Sequence, residues 1–188
     1  RHGDTPPHRH PPSRKVQRFE LRPLGKTIPA ESAERGLART NLVNYIFSMK
    51  KYAFFDHTAD IGMEICGRTK KELFRHAAES IREVLLVGGG QKTHPGVKKT
   101  ITVDGLDSAD LLVNFLREIL YLFNGQGMIV YACRVLACGS RTVVAELHIV
   151  PFSPETQSVK TELKAVTYSG LHVEKTKNGW KARVIFDV

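Results

Sequence analysis

The chain has 188 residues, 41% of them apolar, enough for one domain of ordinary size with an appendage. No apolar run is long enough to span a bilayer. The three cysteines, Cys66, Cys133 and Cys138, contain no CxxC pair; they exclude a disulfide framework and a structural zinc site and fit a reducing, cytoplasmic setting. The formal charge of +9 suggests nucleic acid at first. Residues 1–48, however, hold nine Lys/Arg and four Asp/Glu, a net of +5, which leaves only +4 for residues 49–188.

Residues 1–48 are rich in Pro, His and Arg and have no apolar period. Such a segment buries too little surface to offset its ordering entropy, so it reads as a disordered or non-native extension. It is no secretory signal, because its one apolar cluster, around Leu42 to Phe47, is short and broken by Asn44. Four acids and many prolines also fit a transit peptide poorly. Met49 reads as the natural start, with a domain over 49–188.

The domain opens on Tyr52-Ala53-Phe54-Phe55-Asp56-His57-Thr58-Ala59-Asp60-Ile61-Gly62: a strand, a polar corner, then a strand through Cys66. Gly67 ends that strand. Thr69 to Glu72 predicts a capping box, with Thr69 accepting from the Glu72 amide and Glu72 reaching back to the Thr69 amide. Leu73, Phe74, Ala77, Ala78, Ile81, Val84 and Leu85 then mark one face of a helix. Gly88-Gly89-Gly90 stops it; with no Gly-Lys-Ser/Thr following, this is a connection and not a phosphate loop. Lys99 to Asp104 alternates as a strand. Asp107 or Ser108 caps a second helix whose face is Leu111, Leu112, Phe115, Leu116, Ile119, Leu120 and Phe123, closed by Asn124-Gly125. Met128 to Cys138 and Thr142 to Val150 predict a strand pair. Leu163 to Val173 is a further strand region, Lys177-Asn178-Gly179 a hairpin turn, and Trp180 to Val188 a last strand. Strands with two separated helices and no regular βαβ alternation indicate a single α+β domain, an antiparallel or mixed sheet with two helices packed on it.

Catalytic chemistry is hard to place. No Ser-His-Asp or Cys-His constellation stands in a recognisable context, and His76, His94, His148 and His172 lack ligand spacing. Cys133 and Cys138 lie in apolar strand sequence and read as buried and inert. Arg68, Lys70 and Lys71 read as a solvated helix start that opposes the helix dipole. What stands out is acidic. Asp56, Thr58 and Asp60 either satisfy their own turn or hold a cation. Asp187 stands beside the terminal carboxylate of Val188. If the fold brings them together, Asp60, Asp187 and Val188 are three hard oxygen donors suited to Ca²⁺ or Mg²⁺ rather than zinc.

The segment Tyr52–Gly62, ending Asp-His-Thr-Ala-Asp-Ile-Gly, closely resembles the N-terminal signature of the archease family. Gly67 with Thr69–Phe74, Leu111–Leu116 with Glu118, Val159–Leu171 containing Lys164-Ala165-Val166-Thr167-Tyr168, and Ile185–Val188 resemble further family segments in order, over residues 50–188. The resemblance implies a small α+β accessory protein, not itself an enzyme. Its partner would be the tRNA-splicing ligase, which uses GTP and Mn²⁺ to join a 2′,3′-cyclic phosphate or 3′-phosphate end to a 5′-hydroxyl. The accessory protein promotes guanylylation of that ligase and its repeated turnover, and contacts the RNA substrate only indirectly. The family's divalent-metal site maps onto Asp60, Asp187 and Val188, for Ca²⁺ or for Mg²⁺ or Mn²⁺. Arg68, Lys70 and Lys71 depart from a helix start that is often acidic in the family, while Glu72 is retained. The alternatives are a chaperone or modulator of RNA-modifying methyltransferases and a plain RNA-binding module. The small net charge of the domain and its lack of interleaved basic and aromatic residues weigh against the latter.

Overall fold

The structure, a computed structural model, describes residues 51–57, 60–89 and 95–188, without the side chains of Asp56 and His57. The expectations placed on residues 1–48 and on Met49, Asp56, Thr58 and His94 therefore lie outside what it describes.

The order of elements is β1 (Tyr52–His57), β2 (Asp60–Gly67), α1 (Lys70–Leu85), a 3₁₀ turn (Val87–Gly89), β3 (Val97–Asp104), α2 (Ser108–Asn124), β4 (Met128–Cys138), β5 (Thr142–Pro151), β6 (Ala165–Thr176) and β7 (Gly179–Asp187). The class is α+β, as expected. Every strand pairing is antiparallel, but the strands divide into two sheets, β1-β2-β7-β6 and β3-β5-β4. Helix α1 lies against β2 and β7 of the first sheet and β4 of the second; α2 lies against β6 of the first and β3, β4 and β5 of the second. The helices thus bury their apolar faces against both sheets, and their rings meet where Phe74 and Phe115 lie 5.4 Å apart. Each side chain fully buried there contributes about 1.5–3 kcal/mol over leaving it in water.

The helix caps form from the residues the spacing picks out. The Thr69 side chain accepts from Glu72 N at 3.1 Å. The Glu72 carboxylate, however, accepts from Arg68 N at 2.8 Å rather than from Thr69. The Arg68 side chain, 3.5 Å away, draws it one residue back. In α2, Asp107 is the N-cap and accepts from Ala109 N at 2.8 Å and Asp110 N at 2.9 Å.

Of the cations at this helix start, Lys71 is exposed as expected, but Lys70 is half-buried and not simply solvated. Lys70 Nζ donates to Ser108 Oγ and to the Gly139 carbonyl, and lies 5.9 and 5.7 Å from the ring centroids of Phe74 and Trp180. Lys71 Nζ donates to Leu136 O at 2.6 Å. The two ammonium groups tie the start of α1 to α2, the β4–β5 turn and β7, which offsets their unfavourable place at a helix N-terminus. Lys70→Met keeps the aliphatic stem but leaves the Gly139 carbonyl without that donor. A loss of about 2 kcal/mol is expected, read as a lower urea midpoint with an unchanged slope. An unchanged midpoint would mean that the tether contributes nothing.

His76 is a satisfied core histidine, 7% exposed. The Arg75 guanidinium can only donate, so His76 Nε2 accepts from it at 3.0 Å, and Nδ1 carries the proton and donates to Cys66 O at 2.6 Å. Burial pushes the His76 pKa below the ordinary value of 6.5, and Arg75 and Lys51 push the same way, against the Cys66 carbonyl and Glu79. The unfolded chain therefore takes up a proton first as pH falls. His76 adds no pH dependence well above 6.5, and stability is lost as pH falls through 6.5 toward the lower folded value. In His76→Gln the fall in melting temperature between pH 7.5 and 5.5 is expected to be shallower than in the parent; equal slopes would contradict this.

Candidate metal centre

The first sheet builds an acidic edge. Strands β2 and β7 pair from Gly67↔Trp180 to Ile61↔Phe186. The next position in that register sets Asp60, the first residue of β2, across from Asp187, the last of β7. These two residues stand more than 120 positions apart in sequence but are neighbours on the sheet. Alternation decides which way they face. Ile61, Met63 and Ile65 with Phe186, Val184 and Ala182 form the core side. Asp60 and Asp187 are in phase with Glu64 and Arg183 on the other side. Like charges directly across a strand pair destabilise it, and a cation between them removes that penalty.

Val188 follows directly, so its main-chain oxygens lie at the same edge. The structure adds a residue that spacing had not singled out. Lys164 N donates to Asp187 O at 2.9 Å, and Lys164 Nζ donates to the Val188 oxygen, also at 2.9 Å. Lys164 is held there because Leu163 is fully buried beside it and Asn124 Nδ2 donates to the Leu163 carbonyl at 2.9 Å. Its signal in the sequence was confined to the Lys-Ala-Val-Thr-Tyr resemblance, since nothing local ties residue 164 to residue 188.

An aromatic ring lies on the same side of β2, two residues from Asp60. Phe55 pairs with Gly62, and a Cβ on Gly62 would lie 2.0 Å from the Phe55 ring, so the ring rests on bare backbone. The Arg183 guanidinium lies 4.4 Å from the centroid of that ring. A cation at this edge would have two carboxylates and a main-chain oxygen to draw on, the latter hydrogen-bonded to the Lys164 ammonium. Hard oxygens in this number fit Ca²⁺, Mg²⁺ or Mn²⁺ with water filling the remaining positions. Among the described residues no group of three or more His, Cys, Asp or Glu side chains is placed to hold a metal. The cysteines are elsewhere: Cys133 is buried and its thiol is pushed up to about 12, first by desolvation, as its apolar context suggested.

Residues 52–188 match the Archease protein family (MTH1598/TM1083). The chain belongs to the archease family. Among relatives, it is 36% identical over 143 residues to the protein archease of Methanosarcina acetivorans, covering 74% of this chain and 97% of that one. It is 31% identical over 144 residues to the protein archease of Pyrococcus furiosus, covering 74% of this chain and all of the other. Among solved structures, the solution structure of Methanobacterium thermoautotrophicum protein 1598 is similar with a TM-score of 0.58 at 25% identity, covering 74% of this chain and 100% of that one. The family match takes in Asp60, Lys164, Asp187 and Val188. Among the described residues, no helix of this archease-family protein is long and apolar enough to cross a membrane.

Proposed function

We propose that this archease-family protein is a cytoplasmic accessory factor of the tRNA-splicing RNA ligase. In this reading it promotes guanylylation of that ligase and has no ligation chemistry of its own. The observation that carries the reading is the register of β2 on β7, which makes one edge of Asp60 and Asp187 with Val188 next to them. Asp60 and Asp187 would hold a divalent cation, with an oxygen of Val188 as third protein ligand. When bound, such a cation neutralises charge on phosphate oxygens.

The chain's own residues then have separable tasks. Asp60 and Asp187 stand on neighbouring strands of a packed sheet, which fixes their spacing before any partner arrives. Lys164 holds the Val188 oxygen in place by its hydrogen bond. Phe55, lying over Gly62, would screen one side of the edge from water. Docking of this edge at the nucleotide site of the ligase would bring the carboxylates to the ligase's phosphate-binding groups for a short encounter, so one accessory molecule would serve many ligase molecules.

The test is incorporation of labelled GMP into the cognate ligase. A substoichiometric amount of the full chain is expected to raise the rate, and the chain alone to show no ligation. Equal rates with and without it would refute the proposal.

A further inference from the structure

The side of the first sheet that faces away from the helices carries a cation that its neighbours leave unneutralised. On that side the β2–β7 register sets Asp60 with Asp187, then Gly62 with Ile185, then Glu64 with Arg183. Glu64 stands directly across from Arg183, yet Lys181 Nζ engages its carboxylate at 3.3 Å. On the other flank His172 stands across from Arg183, and Glu174 lies 3.3 Å from His172 Nε2. Among the described residues Arg183 has no carboxylate partner.

The Arg183 guanidinium turns instead toward the middle row, 4.4 Å from the centroid of the Phe55 ring that rests on Gly62. The floor there is firm. Ile185, across from Gly62, is 1% exposed although it points away from the helices, and a Cβ on Gly170 of β6 would lie 3.2 Å from Ile185 Cδ1. The ring holds the guanidinium in place but gives its N–H groups no oxygen. A planar fork held in this way loses little entropy when it takes an oxyanion in bidentate fashion. Gly62 is two residues along β2 from Asp60, about 7 Å, so this fork stands one row away from the carboxylates.

We propose that Arg183, seated on Phe55, binds a chain of two or more phosphates whose other end rides on a divalent cation at Asp60 and Asp187. This rests on the reading given under Proposed function and adds the ligand to it: the tail of a nucleoside triphosphate, or the pyrophosphate that nucleotidyl transfer releases. A cation–oxygen contact is about 2 Å long and a charge-assisted hydrogen bond about 2.8 Å. Two linked phosphates therefore reach across the gap, one on the cation and one on Arg183. Asp60, Asp187 and Glu64 repel an anion that arrives without the cation, so binding requires metal. A diester phosphate of RNA carries a single charge, whereas a polyphosphate carries enough to hold a cation and a guanidinium at once.

The experiment titrates pyrophosphate and GTP, each with Mn²⁺, into the full chain, with Mn²⁺ alone alongside and the urea midpoint of each variant. Arg183→Met keeps the stem and removes the charge. It is expected to weaken binding of both probes about 10- to 30-fold. Mn²⁺ alone should bind no more weakly than in the parent, because a nearby positive charge has gone. Arg183→Lys, with the charge but without the fork, should recover part of the loss. GTP binding tighter than pyrophosphate identifies the nucleotide as the ligand, and equal affinities identify pyrophosphate; in both cases the loss in Arg183→Met is required. Parent-like affinity for both probes in Arg183→Met overturns the proposal, and if Asp187→Ala still impairs metal binding and guanylylation, the proposed function stands. If Arg183→Met lowers Mn²⁺ affinity and the midpoint together, the residue merely holds the sheet and the proposal is wrong. Arg183-dependent binding of an RNA oligonucleotide, with none of pyrophosphate or GTP, likewise overturns it. If the parent neither binds Mn²⁺ nor raises guanylylation, both readings fall.

Discussion

If the proposed site holds a metal, Asp60→Ala and Asp187→Ala are each expected to lower Ca²⁺ or Mn²⁺ affinity by roughly 100-fold or more, since each would remove one of its two proposed side-chain ligands. Stimulation of ligase guanylylation should fall with it. The fold should not suffer. Both residues sit at the ends of their strands and face away from the core, so neither substitution opens a cavity. In Asp187→Ala, removing one of two like charges across the strand pair should even raise the metal-free melting temperature slightly. This combination separates a metal ligand from a residue that merely caps a turn, because loss of a cap lowers stability by about 1 kcal/mol and leaves metal affinity alone. A short tag after Val188 should weaken metal binding as well, by displacing its oxygens. Isothermal titration of metal into the parent, the two alanine variants and the tagged chain reads all of these, and identical affinities throughout would exclude the site.

What the sequence made legible follows the range of each interaction. The caps at Thr69 and Asp107, the apolar faces of both helices and the Lys177-Asn178 turn depend on residues a few positions apart, and all are present. The misplaced detail in the first cap, Glu72 bonding to Arg68 N rather than Thr69 N, arose from a side-chain charge that the capping pattern ignores. Contacts over long separations were a different matter. The strand pattern could not show that the strands of the described residues form two sheets, because periodicity says which face is buried and not which strand is the neighbour. Lys70 looked solvated because its partners, Ser108, Gly139 and Trp180, come from three separate later elements. The carboxylate edge was legible in its chemistry as three hard oxygens, but its assembly depends on β2 pairing with β7, which only the fold supplies. Lys164 had no local signal beyond a family-like segment, since its contact reaches Val188.

The far end of the same strand pair is where the largest loss of stability is expected. Gly67 closes β2 and Gly179 opens β7, and they cross at very short range. A Cβ on Gly179 would lie 2.3 Å from the Gly67 carbonyl oxygen and 2.9 Å from Arg68 Cα, both backbone atoms that cannot swing aside. Gly179 also has φ 137°, a conformation that an L side chain rarely adopts. Gly179→Ala therefore combines backbone strain of about 1–3 kcal/mol with an overlap of about 1–3 kcal/mol, for a total of about 2–6 kcal/mol, a large share of the stability of a domain this size. Gly88→Ala is the matched comparison. Its φ is 63°, but nothing lies within 4 Å of a Cβ there, so only the strain remains, about 1 kcal/mol. The difference between the two urea midpoints isolates the crossing of Gly67 and Gly179. Because that crossing fixes the register that ends at Asp60 and Asp187, Gly179→Ala should also weaken metal binding from the opposite end of the strands, in whatever fraction stays folded, while Gly88→Ala should not. Equal midpoints for the two variants would show that the backbone yields at Gly179 and that the register is held elsewhere.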